Sequence, residues 1–282
     1  MTTLTSPARA SPTTRLPAVG RPAPTARDHI SYSSITTYQQ CPLKYFFKYV
    51  ERLPEEIVSA SFVFGRAIHR AVEFHFHELL AGNQPPDLDT LLAEFQAGWD
   101  EQPAESINYP KADSRDSLCH LADRMLTAFR ESDLAHPHGR ILGIEEELRG
   151  PLIPEVPDLV ARLDLLVAED EGVTITDFKT ARSAWTDSKA DDAAEQLLLY
   201  RELVRSLLPS HPIRLEFVVL TKTKEVTLSR HIVTPNRQRT TRTKNIVRRV
   251  WDSIDQGHFY PVPSAMNCPA CPFREPCRRW TG

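Results

Sequence analysis

Two acidic residues and a lysine lie on adjoining segments in the middle of the chain. Asp164 closes the run Val-Ala-Arg-Leu-Asp, and Asp177 and Lys179 flank Phe178 in Asp-Phe-Lys. Carboxylate oxygens are the hard ligands that Mg²⁺ and Mn²⁺ prefer. A lysine beside such an ion could orient a water molecule or stabilise charge on a phosphate, as metal-assisted phosphodiester hydrolysis requires. Because Asp-x-Lys alone is a weak signal, a solvated hairpin with scattered charges is an equal alternative.

A β-hairpin must hold these residues together. The two segments are rich in β-forming residues and flank a loop of four residues that ends at Gly172. We expect Ala168 to pair with Val173 across this loop. The same register sets Asp164 opposite Asp177, and strand alternation puts the lysine on the same face. Facing carboxylates repel each other and would weaken the sheet unless a cation lies between them.

Other short patterns could complete such a site. His69 follows Gly65 by four residues at the border of an apolar helical stripe, and Gln196 and Tyr200 lie one turn apart on a later helix. Taken alone, these residues are more typical of a structural histidine and a pair at the core edge. Three consecutive acids, Glu145–Glu147, open the strand before the hairpin. One of them could lie behind the metal ligands and hydrogen-bond to them. The alternative is that all three belong to a solvated, acidic end of a strand.

Three of the five cysteines lie within ten residues near the end of the chain. Cys268, Cys271 and Cys277 have the spacing C-x2-C-x5-C, and a four-ligand site would need Cys41 or Cys119 in addition. Four thiolates suit either zinc or an iron–sulfur cluster. A disulfide framework fits poorly, because the cysteines are sparse and odd in number and no secretory signal is evident.

Basic residues accumulate on one predicted helix. The segment between Glu225 and Asp252 has no acid. Its cations on the helix are Arg237, Arg239, Arg242, Lys244, Arg248 and Arg249. Such a patch could follow a phosphate backbone, or it could be an ordinary solvated helix face.

Apolar periodicity predicts a helical N-terminal lobe followed by a sheet. Helices are expected from Ser33 to near Pro42 and over 62–80, 88–99, 116–130, 193–208 and 237–255. Strands are expected over 141–152, 159–168, 173–181, 214–221 and 226–233. The aromatic run Tyr45–Tyr49 reads as core, and Cys119 as a small residue at the core boundary. This order indicates an α/β or α+β core with helices in front.

The composition is that of an ordinary soluble globule, with 34 basic and 37 acidic residues among 282. No uncharged apolar stretch approaches the roughly 18–20 residues of a membrane span, which excludes an integral membrane protein. Residues 1–29 read as a disordered tail rich in Pro, Arg and Thr. Residues 1–27 contain no acid, which also suits an organelle transit peptide, but their five prolines disfavour the amphipathic helix that such a peptide needs.

Taken together, these segments resemble the RecB-like branch of the PD-(D/E)XK nuclease superfamily, which includes the nuclease domains of RecB and AddB and CRISPR-associated iron–sulfur exonucleases. That pattern is G-x-x-x-H on a helix, G-x-x-D and (D/E)-x-K on strands, and Q-x-x-x-Y on a helix. The chain has Gly65…His69, Asp164, Asp177-Phe-Lys179 and Gln196…Tyr200 in this order. The likeness covers about residues 31–282, with Ala161 where the family usually has Gly.

The resemblance implies a role for each matching residue. Lys179 would orient the attacking water and stabilise the phosphate, and Gln196 and Tyr200 would contact DNA or brace the site. The ligands of the catalytic Mg²⁺ or Mn²⁺ would be His69, Asp164, Asp177 and the main-chain carbonyl of Phe178. A structural 4Fe-4S cluster would be held by Cys41, Cys268, Cys271 and Cys277, with zinc as its rival.

The fold implied is a restriction-endonuclease-like α/β core, with a mixed central sheet flanked by helices. We expect one domain over residues 30–282, with a helical lobe at about 62–135, a catalytic core at about 140–235 and a basic helix and cysteine segment at 236–282. Its ends would meet at the cluster.

The function implied is metal-dependent hydrolysis of DNA, chiefly from ends, in repair, recombination or CRISPR-type defence. The alternatives are a non-catalytic DNA-binding subunit and an accessory subunit of a helicase–nuclease complex. No Walker G-x-x-x-x-G-K-[ST] motif occurs, so a helicase motor would be a separate chain. We expect a cytoplasmic, nucleoid-associated protein; its oligomeric state stays open.

Overall fold

A computed structural model describes residues 27–111 and 113–282. The predicted disordered tail therefore lies outside the described residues, except for its last three. Those residues belong to the folded structure, because the Asp28 carboxylate accepts a hydrogen bond from Arg149 and strand β1 (His29–Ser31) pairs in parallel with β5 (Asp158–Glu169).

A six-stranded mixed sheet forms the centre of the molecule. Its order is β1-β5-β6-β7-β8. Strands β1 and β6 pair with the two ends of β5, and β4 pairs with β5 along its length. The pairs β1–β5 and β6–β7 are parallel and the others are antiparallel. The remaining strands are β4 (Arg140–Gly150), β6 (Gly172–Ala181), β7 (Ile213–Thr221) and β8 (Leu228–Val233), and a separate pair is formed by β2 (Val58–Ser59) and β3 (Ile107–Asn108).

Helices cover both faces of this sheet, as predicted. The α-helices of the described residues are α1 (Tyr32–Gln40), α2 (Pro42–Tyr45), α3 (Ala60–Leu80), α4 (Leu88–Asp100), α5 (Arg115–Arg130), α6 (Asp187–Ala193), α7 (Glu195–Leu207), α8 (Arg237–Asp255) and α9 (Arg274–Arg279). Apolar residues of α1, α7 and α8 pack on one face, together with Ile175 of β6. Those of α3, α4 and α5 pack on the other, together with Phe178. The finer division into lobe, core and C-terminal segment stays a prediction.

Most predicted elements lie within two residues of their observed bounds. Helix α1 begins earlier than predicted because Ser31, rather than Ser33, forms a capping box with Ser34. The helix predicted over 193–208 is divided, since Thr186 caps a short α6 that ends at Ala193 before α7 starts. Strands β1 to β3 and helices α2 and α9 were not predicted, because two to six residues are too few to show a period.

The two ends of the described chain are in direct contact. The hydroxyl of Tyr38 donates a 2.6 Å hydrogen bond to the carbonyl of His258, and the N–H of Leu43 donates to the carbonyl of Tyr260. Leu43 also shares a small buried cluster with Phe47 and Phe273. The aromatic run therefore belongs to the core, as predicted. Among the described residues, no helix is both long and apolar enough to cross a membrane.

Candidate metal and catalytic site

The hairpin of β5 and β6 has the predicted register. Pairing runs from Glu169↔Gly172 to Leu165↔Thr176, so the turn contains two residues rather than the predicted four. Beyond Leu165 the strands separate, and the N–H of Phe178 donates a 2.8 Å hydrogen bond to Oδ2 of Asp164. The Asp164 carboxylate thus takes the place of a main-chain acceptor beyond the last paired residues of β5 and β6.

Asp177 and Lys179 lie on the face of β6 that α7 covers. Nζ of Lys179 is 2.5 Å from Oδ2 of Asp177, and the Asp177 side chain is only 5% exposed. The same Nζ lies 3.4 Å from Oε1 of Gln196, whose Nε2 donates to the hydroxyl of Tyr200 at 3.0 Å. Gln196 therefore contacts the Lys179 ammonium group from α7, and Tyr200 in turn holds the Gln196 side chain.

Helix α3 brings His69 to the opposite side of Asp164. Nδ1 of His69 is 3.6 Å from Oδ2 of Asp164. The helix can approach β6 closely at Gly65, where an added Cβ would lie 3.2 Å from Oγ1 of Thr180. This close contact favours the glycine one turn before the histidine, since a larger residue would require the Thr180 side chain to move by a few tenths of an ångström.

Glu145 belongs to the same cluster as His69 and Asp164. The sequence predicted at most a supporting role for this glutamate. One oxygen of Glu145, one of Asp164 and one nitrogen of His69 all lie within 4.8 Å of one another. The Glu145 side chain is 15% exposed and pairs with Arg162 at 2.6 Å, whereas the next two glutamates are exposed. The signal that could have found it is the antiparallel register of β4 and β5, which sets position 145 opposite position 164.

A local distortion of β4 turns the Glu145 side chain toward the cluster. The β4–β5 register shifts between Ile141 and Gly143, and Glu145 has a left-handed backbone with a φ of 49°. Bulges and left-handed residues of this kind re-aim side chains and are common beside active sites.

Burial dominates the ionisation of the two acids in the cluster. It raises the pKa of Glu145 to about 7, and the negative charge of Asp164 adds to that shift while Arg162 opposes it. Burial likewise raises the pKa of Asp164, and the charge of Asp177 raises it further. Such crowded carboxyls are stabilised by a cation.

The two basic groups respond differently to the same surroundings. Burial alone would lower the pKa of Lys179, but the carboxylates of Asp177 and Asp164 outweigh it and hold the pKa above its ordinary value. Burial lowers the pKa of His69, although Asp177 opposes the shift. At neutral pH the lysine is therefore charged, and the imidazole is neutral and able to bind a metal.

This donor set fits a divalent cation. It offers carboxylate oxygens and one imidazole, which suit Mn²⁺ and, apart from the imidazole, Mg²⁺. The residues that would hold the ion are His69, Glu145 and Asp164. Asp177, predicted as a further ligand, is not one of these three residues, and its buried Oδ2 is paired with Nζ of Lys179. The main chain of Phe178, predicted as a ligand through its carbonyl, contacts the cluster through its N–H to Asp164.

A cleft of about 970 Å³ opens onto the cluster. Its walls include His69, Glu145, Asp164 and Lys179, together with the first turns of α3. Tyr200 is only 6% exposed, so it braces Gln196 and is not placed to contact DNA, one of the two roles predicted for it.

The basic helix α8 lies on the sheet face that α7 covers, and none of its residues lines the cleft. Lys244 pairs with Glu202, and Arg239 with Asp191. Arg248 donates to a main-chain carbonyl. The exposed cations are Arg237, Arg242 and Arg249.

Four thiols share the contact between the two ends. Cys41, Cys271 and Cys277 pack against the cluster of Leu43, Phe47 and Phe273. Burial raises the pKa of Cys277, and neighbouring Cys41, Cys271 and Cys268 raise it further. Cys119 lies apart, at the edge of the core around α3, as predicted. All five thiols are free.

A family comparison covers most of the chain. The sequence profile of the PD-(D/E)XK nuclease superfamily matches residues 29–278. No curated protein matches the chain at a significant level.

Solved structures to which this chain is similar include a candidate exonuclease from Eubacterium rectale. It is 14% identical, with a TM-score of 0.46 over 82% of this chain and 90% of its own. The protein SSO0001 is 12% identical, with a TM-score of 0.33 over 86% of this chain and 92% of its own. The matched profile spans nearly all of the described residues, so this chain belongs to the PD-(D/E)XK nuclease superfamily and is, by family, a hydrolase of the nuclease class.

Proposed function

We propose that this protein is a Mg²⁺- or Mn²⁺-dependent DNA exonuclease of the RecB-like branch. The observation that carries the proposal is the convergence of His69, Glu145 and Asp164 beside the Asp177–Lys179 pair, at the floor of an open cleft. An acidic cluster next to a charged lysine is what phosphodiester hydrolysis requires.

The chemistry that a divalent cation supplies there is activation of water and neutralisation of charge on the phosphate. Lys179 keeps its proton, so it acts as a donor that orients water and stabilises negative charge, and not as a general base. Gln196 and Tyr200 fix the position of its ammonium group from α7. Arg162, paired with Glu145 at the cleft wall, holds that carboxylate toward the cluster.

We propose that Cys41, Cys268, Cys271 and Cys277 hold a 4Fe-4S cluster that links the two ends. The grouping of their thiols around Cys277 supports this assignment. Zinc, bound by the same four thiolates, is the alternative.

The exposed arginines of α8 are the proposed secondary contact with DNA. Arg237, Arg242 and Arg249 have no carboxylate within 4.0 Å among the described residues, so they can bind phosphates outside the cleft. A separate helicase chain remains part of the proposal as a partner that would deliver free strands.

The test of the activity is degradation of labelled single-stranded DNA with Mn²⁺. We expect Asp177→Ala and Lys179→Ala to lower the rate by at least about 10²-fold, because each removes a group at the reacting phosphate. The matched controls are Asp170→Ala in the hairpin turn and Lys224→Ala in the turn before β8, which should retain full activity.

Equal activity in all four variants would contradict the site. Specific DNA binding with no hydrolysis under any divalent ion would instead favour the non-catalytic subunit. Comparison of free-ended with circular substrates separates exonuclease from endonuclease action.

A further inference from the structure

A large apolar side chain is exposed at one end of the cleft. Phe62, in the first turn of α3, is 60% exposed and lines the cleft, whereas its neighbours Val63 and Phe64 are buried. Phe62, Arg66 and His69 follow helical spacing along the wall of the cleft. Seven residues of helix separate Phe62 from His69 by roughly 10 Å. That is the length of about three stacked nucleotides at about 3.4 Å each.

A lysine without a counter-ion lies beside the phenylalanine. Nζ of Lys222 donates to Oγ of Ser61 at 2.9 Å and lies 3.3 Å from its carbonyl oxygen. No carboxylate of the described residues is within 4.0 Å of this ammonium group, while Arg66 is already paired with Glu101. Burial lowers the pKa of Lys222, so an anion in the cleft would offset the cost of its charge.

We propose that a single DNA strand crosses this end of α3, with one base stacked on Phe62 and one phosphate bound by Lys222. This inference rests on the proposed nuclease function and names its substrate as unpaired DNA. An aromatic side chain can stack only on a base whose face is free, whereas the faces of duplex bases are covered by their neighbours. The combination of an aromatic ring and a lysine is the recurring composition of single-strand binding grooves.

Fluorescence anisotropy with a labelled 12-nucleotide strand, in chelator so that no cleavage occurs, measures this contact directly. We expect Phe62→Ala to weaken binding by roughly 5- to 100-fold, because it removes a stacked base. Phe62→Trp should retain wild-type affinity. The matched control is Leu80→Ala, since Leu80 is 51% exposed on the same helix and lies outside the cleft.

The possible outcomes distinguish failure of the stacking contact at Phe62 from failure of the proposed nuclease function. Equal losses of affinity for single strand and blunt duplex would overturn the stacking contact in favour of duplex docking. Affinity for the single strand within twofold of wild type in Phe62→Ala would also overturn it. If wild-type protein neither binds nor cleaves DNA, it is the proposed function that fails.

Salt dependence tests the phosphate contact independently. Loss of one phosphate contact lowers the slope of log affinity against log salt by about 0.7 for a single strand. We expect this decrease in Lys222→Gln and the wild-type slope in Lys222→Arg. An unchanged slope in Lys222→Gln would overturn the role of this lysine.

Discussion

Glu145 occupies a position that is costly in the absence of a ligand. A left-handed backbone costs a residue with a Cβ about 1–2 kcal/mol, and its carboxylate is buried against that of Asp164. Arg162 compensates part of this charge but is itself mostly exposed, so its attraction is screened by solvent. A divalent cation at the cluster would offset the remaining cost.

We therefore predict that Glu145→Gln weakens Mn²⁺ binding by at least about tenfold, since it removes one charged ligand from the cluster. Isothermal titration calorimetry on the folded protein measures this directly. Glu146→Gln is the matched control, because that neighbouring side chain is exposed and outside the cluster. Equal affinities in the two variants would exclude Glu145 as a ligand.

The raised pKa of Glu145 also predicts a pH dependence. Between the ordinary value of 4.5 and about 7, the folded protein keeps a proton that the unfolded chain has lost. Stability therefore falls as pH rises through this window. We expect the melting temperature in chelator to decrease between pH 5.5 and 8, and to decrease less in Glu145→Gln. The same slope in both proteins would contradict the shift.

At the scale of elements, an aromatic cluster packs helices α3 and α5, together termed the lobe, against β6. The ring of Phe178 in β6 lies 5.7 Å from that of Phe76 in α3 and 6.3 Å from that of Phe129 in α5. Asp177 and Lys179 flank Phe178 and point to the other face. Packing of the lobe against Phe178 thus sets the depth at which the site residues lie.

Truncation of this cluster should loosen the lobe from the sheet. Phe129 is fully buried, so we expect Phe129→Ala to lower the free energy of unfolding by about 3–5 kcal/mol, through lost burial and a cavity. Urea denaturation monitored by tryptophan fluorescence measures the change. The exposed-site variant Leu80→Ala should shift it by less than about 0.5 kcal/mol. A cost below about 1 kcal/mol for Phe129→Ala would show that the cluster does not hold the lobe.

At the scale of the whole molecule, the chain is closed by contacts between its ends. Cys41 and Cys268 lie on opposite sides of strands β4 to β8 in sequence, and closing so long a loop carries a large entropy cost. The small cluster of Leu43, Phe47 and Phe273 and the stacking of Phe259 on Tyr45 join the two ends. Bonds from the four thiols to one metal group would add to this stabilisation.

We expect Cys277→Ser, purified anaerobically, to lose iron and absorption near 400 nm and to exchange amide hydrogens faster over residues 32–50 and 258–280. The matched control, Cys119→Ser, removes the thiol that lies apart and should retain both the iron and the protection. Zinc in place of iron in wild-type protein would refute the iron–sulfur assignment. Unchanged exchange in Cys277→Ser would refute the structural role.

The local sequence was sufficient to predict the features that depend on residues close together in the chain. Strand alternation and turn residues determined the register of the hairpin, and helical period determined that Gln196 and Tyr200 share a face. Resemblance in short motifs was enough to indicate the superfamily. Each of these features depends on residues within one element or on two elements joined by a tight turn.

Tertiary structure alone decided which distant side chains meet. Glu145 enters the cluster through its left-handed backbone and the pairing of β4 with β5, and Lys222 is hydrogen-bonded to Ser61, the neighbour of Phe62, from 161 positions away. The basic residues of α8, by contrast, lie on the face away from the cleft. Such placements depend on how helices and sheet layers pack, and packing is a cooperative property of the whole core that no local period encodes.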